Sequence, residues 1–286
     1  MKKVLVMLCC LFFLVGCTSN SKPDISNDKV ISEVKFLSST IGKLLNNLNN
    51  ITLDNYELIS DKVTLNKEDK SNRGESSQQT SSSQSEGEDS ESNNKENITI
   101  TDIQYKTMLS TDMDQIDWDK INTEIELLNT SWSIIMLDLS SNNIVNTDLV
   151  EFSNLLNQAT IALEKKDKIS SIDNLKNLYS YIPKFLYNIS EEKQLKNIEE
   201  TKYYIYESYE NATKENWNDT ATSLENAEKN FLNVVNDTDY CRNKEHKINR
   251  CYLLIKDLQN SVKNNNIKLY CLKYKNLIQS INTLWL

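Results

Sequence analysis

Few side chains in this 286-residue chain could carry reaction chemistry, and their spacing limits what they could do. His246 is the only histidine. It sits in the charged run Arg242-Asn243-Lys244-Glu245-His246-Lys247, where a solvated helix start is expected rather than the base of a nucleophilic triad. The acids Asp112, Asp114, Asp117 and Asp119 are dense enough to raise the question of calcium. A calcium loop beginning at Asp112 would put Ile116 at position five, Asp117 where glycine belongs and Thr123 in place of the bidentate acid. First-turn acids of a helix starting near Trp118 account for the cluster better. The pairs Glu191/Glu192 and Glu199/Glu200 are read as the solvated outer faces of helices, since nothing in one sequence sets them across a cleft. No enzymatic activity, cofactor or metal is expected.

Two further groups bear on binding. Tyr179, Phe185 and Tyr209 fall on helical apolar stripes and are expected in the core. Tyr181, Tyr187, Tyr203 and Tyr204 fall off the main stripe, which leaves either a second packing face or a groove for a peptide or glycan. Residues 98–241 carry a net charge of −13 and residues 242–286 a net +7. Arg242, Lys244, Lys247, Arg250, Lys256 and Lys263 are therefore candidates for a face toward an anionic envelope polymer or lipid headgroups, the alternative being a basic hairpin packed on acidic helices. With an overall net charge of −9, nucleic acid is not an expected partner.

The elements that position these residues are helices. From Ile98 to Leu286 there is no glycine and one proline, Pro183. This excludes glycine-rich phosphate loops, dinucleotide fingerprints and nucleophile elbows from that span. Trp118, Ile121, Ile125, Leu128, Trp132, Ile135 and Leu139 alternate four and three. Similar faces run from Leu149 to Leu163, with Thr147 as N-cap, and from Ile172 to Ile189, with a kink or break near Ile182 ahead of Pro183. Further faces run from Leu195 through Lys202 to Ala212, from Trp217 through Glu228 to Val235, from Ile248 to Val262 and from Ile267 to Leu284. Ser190 is expected to cap the fourth of these helices, with Glu191 and Glu192 in its first turn. The fold class predicted is all-α: an antiparallel up-and-down bundle of about seven helices, turned by asparagines such as Asn142-Asn143 and Asn264-Asn265-Asn266. In that hairpin geometry Cys251 and Cys271 stand at different heights and do not bridge.

Upstream, residues 66–97 contain no aliphatic, aromatic or sulfur-bearing side chain and are expected to be a disordered linker. Residues 17–65 include an amphipathic face at Val30, Val34, Leu37, Ile41, Leu44 and Leu48. That helix could dock on the main domain, residues 98–286, pair with a copy of itself, or lie on a membrane. Residues 1–16 read as a signal peptide: Lys2-Lys3, then an apolar run from Val4 to Val15 too short to span a bilayer.

The end of that run, Leu14-Val15-Gly16-Cys17, resembles the lipobox of bacterial lipoproteins. The resemblance implies cleavage between Gly16 and Cys17, a diacylglyceryl thioether on Cys17, and tethering to the extracytoplasmic face of a cell membrane. Two acyl chains anchor stably where one is marginal. The C-terminal half, on Trp217, Ala221, Phe231, His246 and Ile248, resembles small helical extracytoplasmic proteins of Gram-positive bacteria. The function expected is a non-enzymatic binding or structural module for a protein or envelope polymer. A transporter-associated ligand-binding lipoprotein is the alternative, and an envelope enzyme the third.

Overall fold

A computed structural model of the chain describes residues 26–51 and 116–285. The predicted signal peptide, Gly16, Cys17, the linker at 66–97 and the acids Asp112 and Asp114 lie outside the described residues. Within them the protein is all-α, with no strand. The elements are α1 (Asn27–Asn47), α2 (Trp118–Ser141), α3 (Asn146–Glu164), α4 (Lys168–Tyr179), α5 (Tyr181–Ile189), α6 (Lys193–Thr213), α7 (Trp217–Val235), the single turn α8 (Thr238–Cys241), α9 (Glu245–Val262) and α10 (Ile267–Asn282). A 3₁₀ turn, Thr283–Trp285, follows.

The one helix expected over Ile172–Ile189 is two, so the span from residue 116 onward holds more helices than predicted. The break expected near Ile182 falls at Ser180, two residues earlier. Pro183 is then the third residue of α5, inside a first turn whose N–H groups have no intrahelical acceptor, so its missing donor costs nothing there. Two expected caps are also displaced. Helix α3 begins at Asn146 with Val145 before it, so Thr147 is inside the first turn. Ser190 closes α5, and its Oγ accepts from the Glu192 N–H at 3.1 Å; Glu191 and Glu192 precede α6 instead of opening it. Asp117 does cap α2, accepting from the Lys120 N–H at 3.0 Å, and Asp119 follows in the first turn. Asp167, Asp237 and Asn266 cap α4, α8 and α10 in the same way.

Tight turns are made without glycine. Asn50, Asn143, Lys166, Glu215 and Asn265 take left-handed backbone conformations, with φ from 47° to 65°. Asparagine was expected there, and three of the five are asparagine, but lysine and glutamate serve at the other two. After α3 the Asp167 N–H reaches the Ala162 carbonyl at 2.9 Å and the Lys166 N–H reaches Leu163 at 2.9 Å. After α6 the Asn216 N–H reaches Asn211 at 2.9 Å and the Glu215 N–H reaches Ala212 at 3.0 Å. These paired bonds satisfy helix-end carbonyls as a Schellman motif does, and offset the strain of a Cβ at positive φ.

Cross-helix contacts give the chain directions. Trp132 Nε1 donates to Ser153 Oγ at 2.8 Å and Asn129 Nδ2 to Thr160 Oγ1 at 3.0 Å, so α2 and α3 run antiparallel. Asp257–Lys273 at 2.8 Å and Cys251–Ser280 at 3.3 Å do the same for α9 and α10. Cys251 is thus level with Ser280, some 13 Å of helical rise from Cys271. All three thiols at Cys241, Cys251 and Cys271 are free.

The N-terminal helix docks. Val30, Val34, Leu37, Ile41, Leu44, Leu45 and Leu48 are fully buried in the same core as Leu139, Phe185, Tyr209 and Tyr274. Each such side chain contributes roughly 1.5–3 kcal/mol on leaving water. Helix α1 lies against α2, α4 and α5 and is pinned at its ends to α2, by Lys29–Asp138 at 2.5 Å and by Asn47 Nδ2 donating to Glu124 at 2.8 Å.

Candidate functional site

Two arrangements of polar side chains emerge, one sealed and one open. The sealed one joins α1 to α4 and α6. Ser38 donates to Glu199 Oε2 at 2.8 Å, the Tyr179 hydroxyl donates to the same oxygen, and Lys202 Nζ donates to Glu199 Oε1 and to Ser38 Oγ, each at 2.9 Å. Glu199 has no exposure at all, and Lys202 is only 4% exposed. Glu199 was expected on a solvated outer face, and the structure places it in the core. A lysine at hydrogen-bond distance from a serine has the composition of a Ser–Lys nucleophile pair. Here the ammonium donates to a carboxylate and the serine to that same carboxylate, within a packed core. The arrangement holds three helices in register. Burial, with Glu199 beside it, drives the Tyr179 hydroxyl well above its ordinary pKa.

The tyrosines extend this polar seam. Asn46 accepts from the Tyr274 hydroxyl at 2.9 Å, Asn49 donates to Tyr209, and Ser208 and Tyr270 hydroxyls lie 2.7 Å apart. Tyr209 stacks on Tyr274 with ring centroids 4.7 Å apart, and Tyr206 meets Tyr179 edge-on at 4.6 Å. Gly42 permits the approach of α1: a Cβ there would stand 2.5 Å from the Tyr206 hydroxyl oxygen.

The open arrangement is a groove across the outer face of α5. Its larger lobe, about 560 Å³, is lined by Asp148, Ser180, Pro183, Lys184, Tyr187, Asn188, Glu200, Tyr203 and Tyr204. A second lobe, about 420 Å³, is lined by Glu151, Asn154, Leu155, Gln158, Asn177, Ser180, Tyr181 and Lys184. The lobes share Ser180 and Lys184, which border both. Every off-stripe tyrosine singled out from the sequence lines one lobe or the other. Tyr187 is 65% exposed, Tyr203 and Tyr204 are half-buried and pack edge to face at 5.2 Å, and Tyr181 is buried at its ring.

Charges in the groove are set by the same helices. Tyr181 donates to Glu151 Oε2 at 2.5 Å, and burial, with that carboxylate, pushes its pKa up to about 12. Lys184 Nζ stands 4.1 Å from the centroid of the Tyr181 ring and Lys196 Nζ stands 4.8 Å from that of Tyr187, both within cation–π range. Tyr203 donates to Glu207 at 3.2 Å, and Ser223 donates to the other Glu207 oxygen at 2.8 Å. Glu200, one turn before Tyr203 and Tyr204, has its pKa raised by burial.

The basic candidates do not gather on one face. Lys256 pairs with Glu228 at 2.9 Å, and that carboxylate also accepts from Gln259 and Tyr252. Arg242 pairs with Asp239 at 3.0 Å, Lys244 lies over the Tyr240 ring at 4.6 Å, and Lys263 reaches Asn260. Lys247 and Arg250 are exposed. Lys247 and Lys256 are nine positions apart on α9, which at about 100° per residue puts them on opposite sides of the helix. Glu228 and Lys202 fall on apolar stripes of α7 and α6; Glu228 is met by Lys256, Gln259 and Tyr252 of α9, and Lys202 by Ser38 of α1 and by Glu199 of its own helix. His246 is exposed in the first turn of α9. No group of three or more His, Cys, Asp or Glu with metal-site geometry occurs among the described residues, and no helix among them is long and apolar enough to cross a membrane.

Comparison with protein-family models, with curated proteins and with solved structures finds no match to this chain.

Proposed function

We propose that this chain is a lipid-anchored extracytoplasmic binding module, tethered through a diacylglyceryl group on Cys17, whose groove across α5 engages a protein or envelope polymer without catalysing a reaction. The observation that carries the reading is the convergence of Tyr187, Tyr203 and Tyr204, from two helices, in one open lobe with Asp148, Asn188 and Glu200. Tyrosine supplies contact area at low cost in side-chain entropy and keeps a hydroxyl for hydrogen bonding, which is why it dominates binding surfaces. These tyrosines are outside the sealed core, where the Tyr179, Tyr274, Tyr209 and Tyr270 hydroxyls already have partners in Ser38, Asn46, Asn49 and Ser208.

The groove, rather than the basic hairpin, is the contact surface in this reading, because Lys256 and Arg242 already have acidic partners on the same molecule. In-cell photocrosslinking tests it, with a photoreactive residue replacing Tyr187 or Tyr204 and, as control, exposed Leu253 on α9. The expected result is a discrete adduct from the groove positions alone. Equal capture at Leu253, or none at either groove position, would sink the assignment. The anchor is tested separately: Cys17→Ala should abolish incorporation of labelled fatty acid and leave the first sixteen residues attached.

A further inference from the structure

Resting on that groove reading, we infer that the groove receives an extended peptide segment and that Glu200, flanked by Tyr203 and Tyr204, takes a lysine or arginine side chain of it. The carboxylate of Glu200 has no hydrogen-bond or ion-pair partner among the described residues, in contrast to Glu151, Glu199, Glu207, Glu210 and Glu228, all of which are engaged. Lys196, one turn earlier on the same helix, forms no ion pair with it; its ammonium lies over the Tyr187 ring and 3.5 Å from the Tyr187 carbonyl. A half-buried, unpaired carboxylate beside two aromatic rings presents the two components that favour an organic cation: countercharge and ring quadrupole.

The groove shows the same chemistry on its own side chains. Tyr181 and Tyr187 each already carry a lysine ammonium from this chain, at 4.1 and 4.8 Å from the ring centroids. Tyr203 and Tyr204 carry none among the described residues, so the place left for a cation is theirs. The larger lobe is lined by the carboxylates Asp148 and Glu200, while the ammonium groups of Lys184 and Lys196 are held over the Tyr181 and Tyr187 rings. An elongated ligand could reach both lobes across Ser180 and Lys184, which border each, and the second offers Asn154, Gln158 and Asn177. Amide side chains at that end can donate to and accept from the peptide groups of an extended main chain.

The experiment is calorimetric titration of the purified full-length protein in detergent micelles with the blocked peptide acetyl-Gly-Lys-Gly-Lys-Gly-amide, its norleucine counterpart and chitotriose. Saturable binding of the lysine peptide alone is expected. It should weaken about three- to tenfold in Glu200→Gln, the scale of one exposed-to-half-buried cation–π and ion-pair contact. Binding should weaken further with added salt, and Glu200→Gln should keep the native circular dichroism. Equal affinity of wild type and Glu200→Gln for the lysine peptide would overturn the assignment of the cation to Glu200. Binding of the norleucine peptide or chitotriose that is lost in Tyr204→Ala but kept in Glu200→Gln would overturn the cation and leave the groove standing. Absence of binding by all three probes would overturn both.

Discussion

Replacing Gly42 with alanine should destabilise the protein, although alanine is the better helix former. Gly42 lies inside α1, where a Gly-to-Ala change ordinarily gains about 1 kcal/mol in helix propensity. The added Cβ would stand 2.5 Å from the Tyr206 hydroxyl oxygen, about 1 Å short of the ~3.5 Å optimum for such a contact. The Tyr206 ring is 1% exposed and packed edge-on against Tyr179, so it has little room to withdraw. Overpacking of this kind costs about 1–3 kcal/mol. Set against the propensity gain, the net loss should be up to about 2 kcal/mol. The hydroxyl alone causes it, because the next Tyr206 atom, Cζ, is 3.5 Å from the same Cβ, an ordinary contact. In a Tyr206→Phe background the same Gly42→Ala change should therefore be neutral or stabilising by up to about 1 kcal/mol, a coupling of about 2 kcal/mol. Urea denaturation of the four proteins, followed by circular dichroism, measures it. A cost for Gly42→Ala that is the same with tyrosine or phenylalanine at 206 would refute the reasoning.

Other outcomes follow from the sealed core and the turns. Glu199→Ala removes the countercharge of the Lys202 ammonium in the core and should cost about 3–5 kcal/mol, whereas Glu199→Leu combined with Lys202→Met should cost much less, as read from denaturation midpoints. Lys166→Gly and Glu215→Gly relieve left-handed strain and should each stabilise by about 0.5–1 kcal/mol in the same assay, while alanine at either site should not. Burial pushes the Cys251 thiol up to about 11 and Cys271 up to about 12, so at pH 8 a maleimide should label half-buried Cys241 first and reach the other two only on unfolding, as mass spectrometry will show. The tyrosine hydroxyls at 179, 181, 206, 209, 270 and 274 all have pKa values raised by burial. The folded state therefore holds protons that the unfolded state loses above about pH 10, and stability should be full below that pH and fall as pH rises beyond it. Denaturation midpoints unchanged between pH 9 and 11.5 would contradict this.

Helix class, helix faces and several boundaries were legible because each rests on residues within one or two turns of each other. The four-three spacing from Trp118 to Leu139, Asp117 as a cap and Asn265 as a left-handed turn are of this kind, and so is the exclusion of glycine-loop chemistry. Thr147 and Ser190 misled because neither helix uses a side-chain cap: α3 starts behind Val145 and α6 behind Glu192, neither of which accepts a capping hydrogen bond. Lys166 and Glu215 escaped notice because a Schellman turn is fixed by backbone bonds that a lysine or glutamate can make at modest strain.

The site was legible only in part. That Tyr181, Tyr187, Tyr203 and Tyr204 fall off their stripes is a local fact, visible in spacing alone. That they line one groove depends on α5 and α6 lying side by side, which spacing cannot give. Lys202 could be recognised on an apolar stripe, yet Glu199 looked solvated. Its burial comes from Ser38 and Tyr179, the first of them 161 residues away in the chain. Periodicity records which face of a helix avoids water. What meets that face, a hydrophobic ridge, a countercharge or an open groove, is set by long-range packing, and so tertiary structure alone decided that Glu199 is locked in the core while Glu200, its neighbour in sequence, is left unpaired beside two tyrosines.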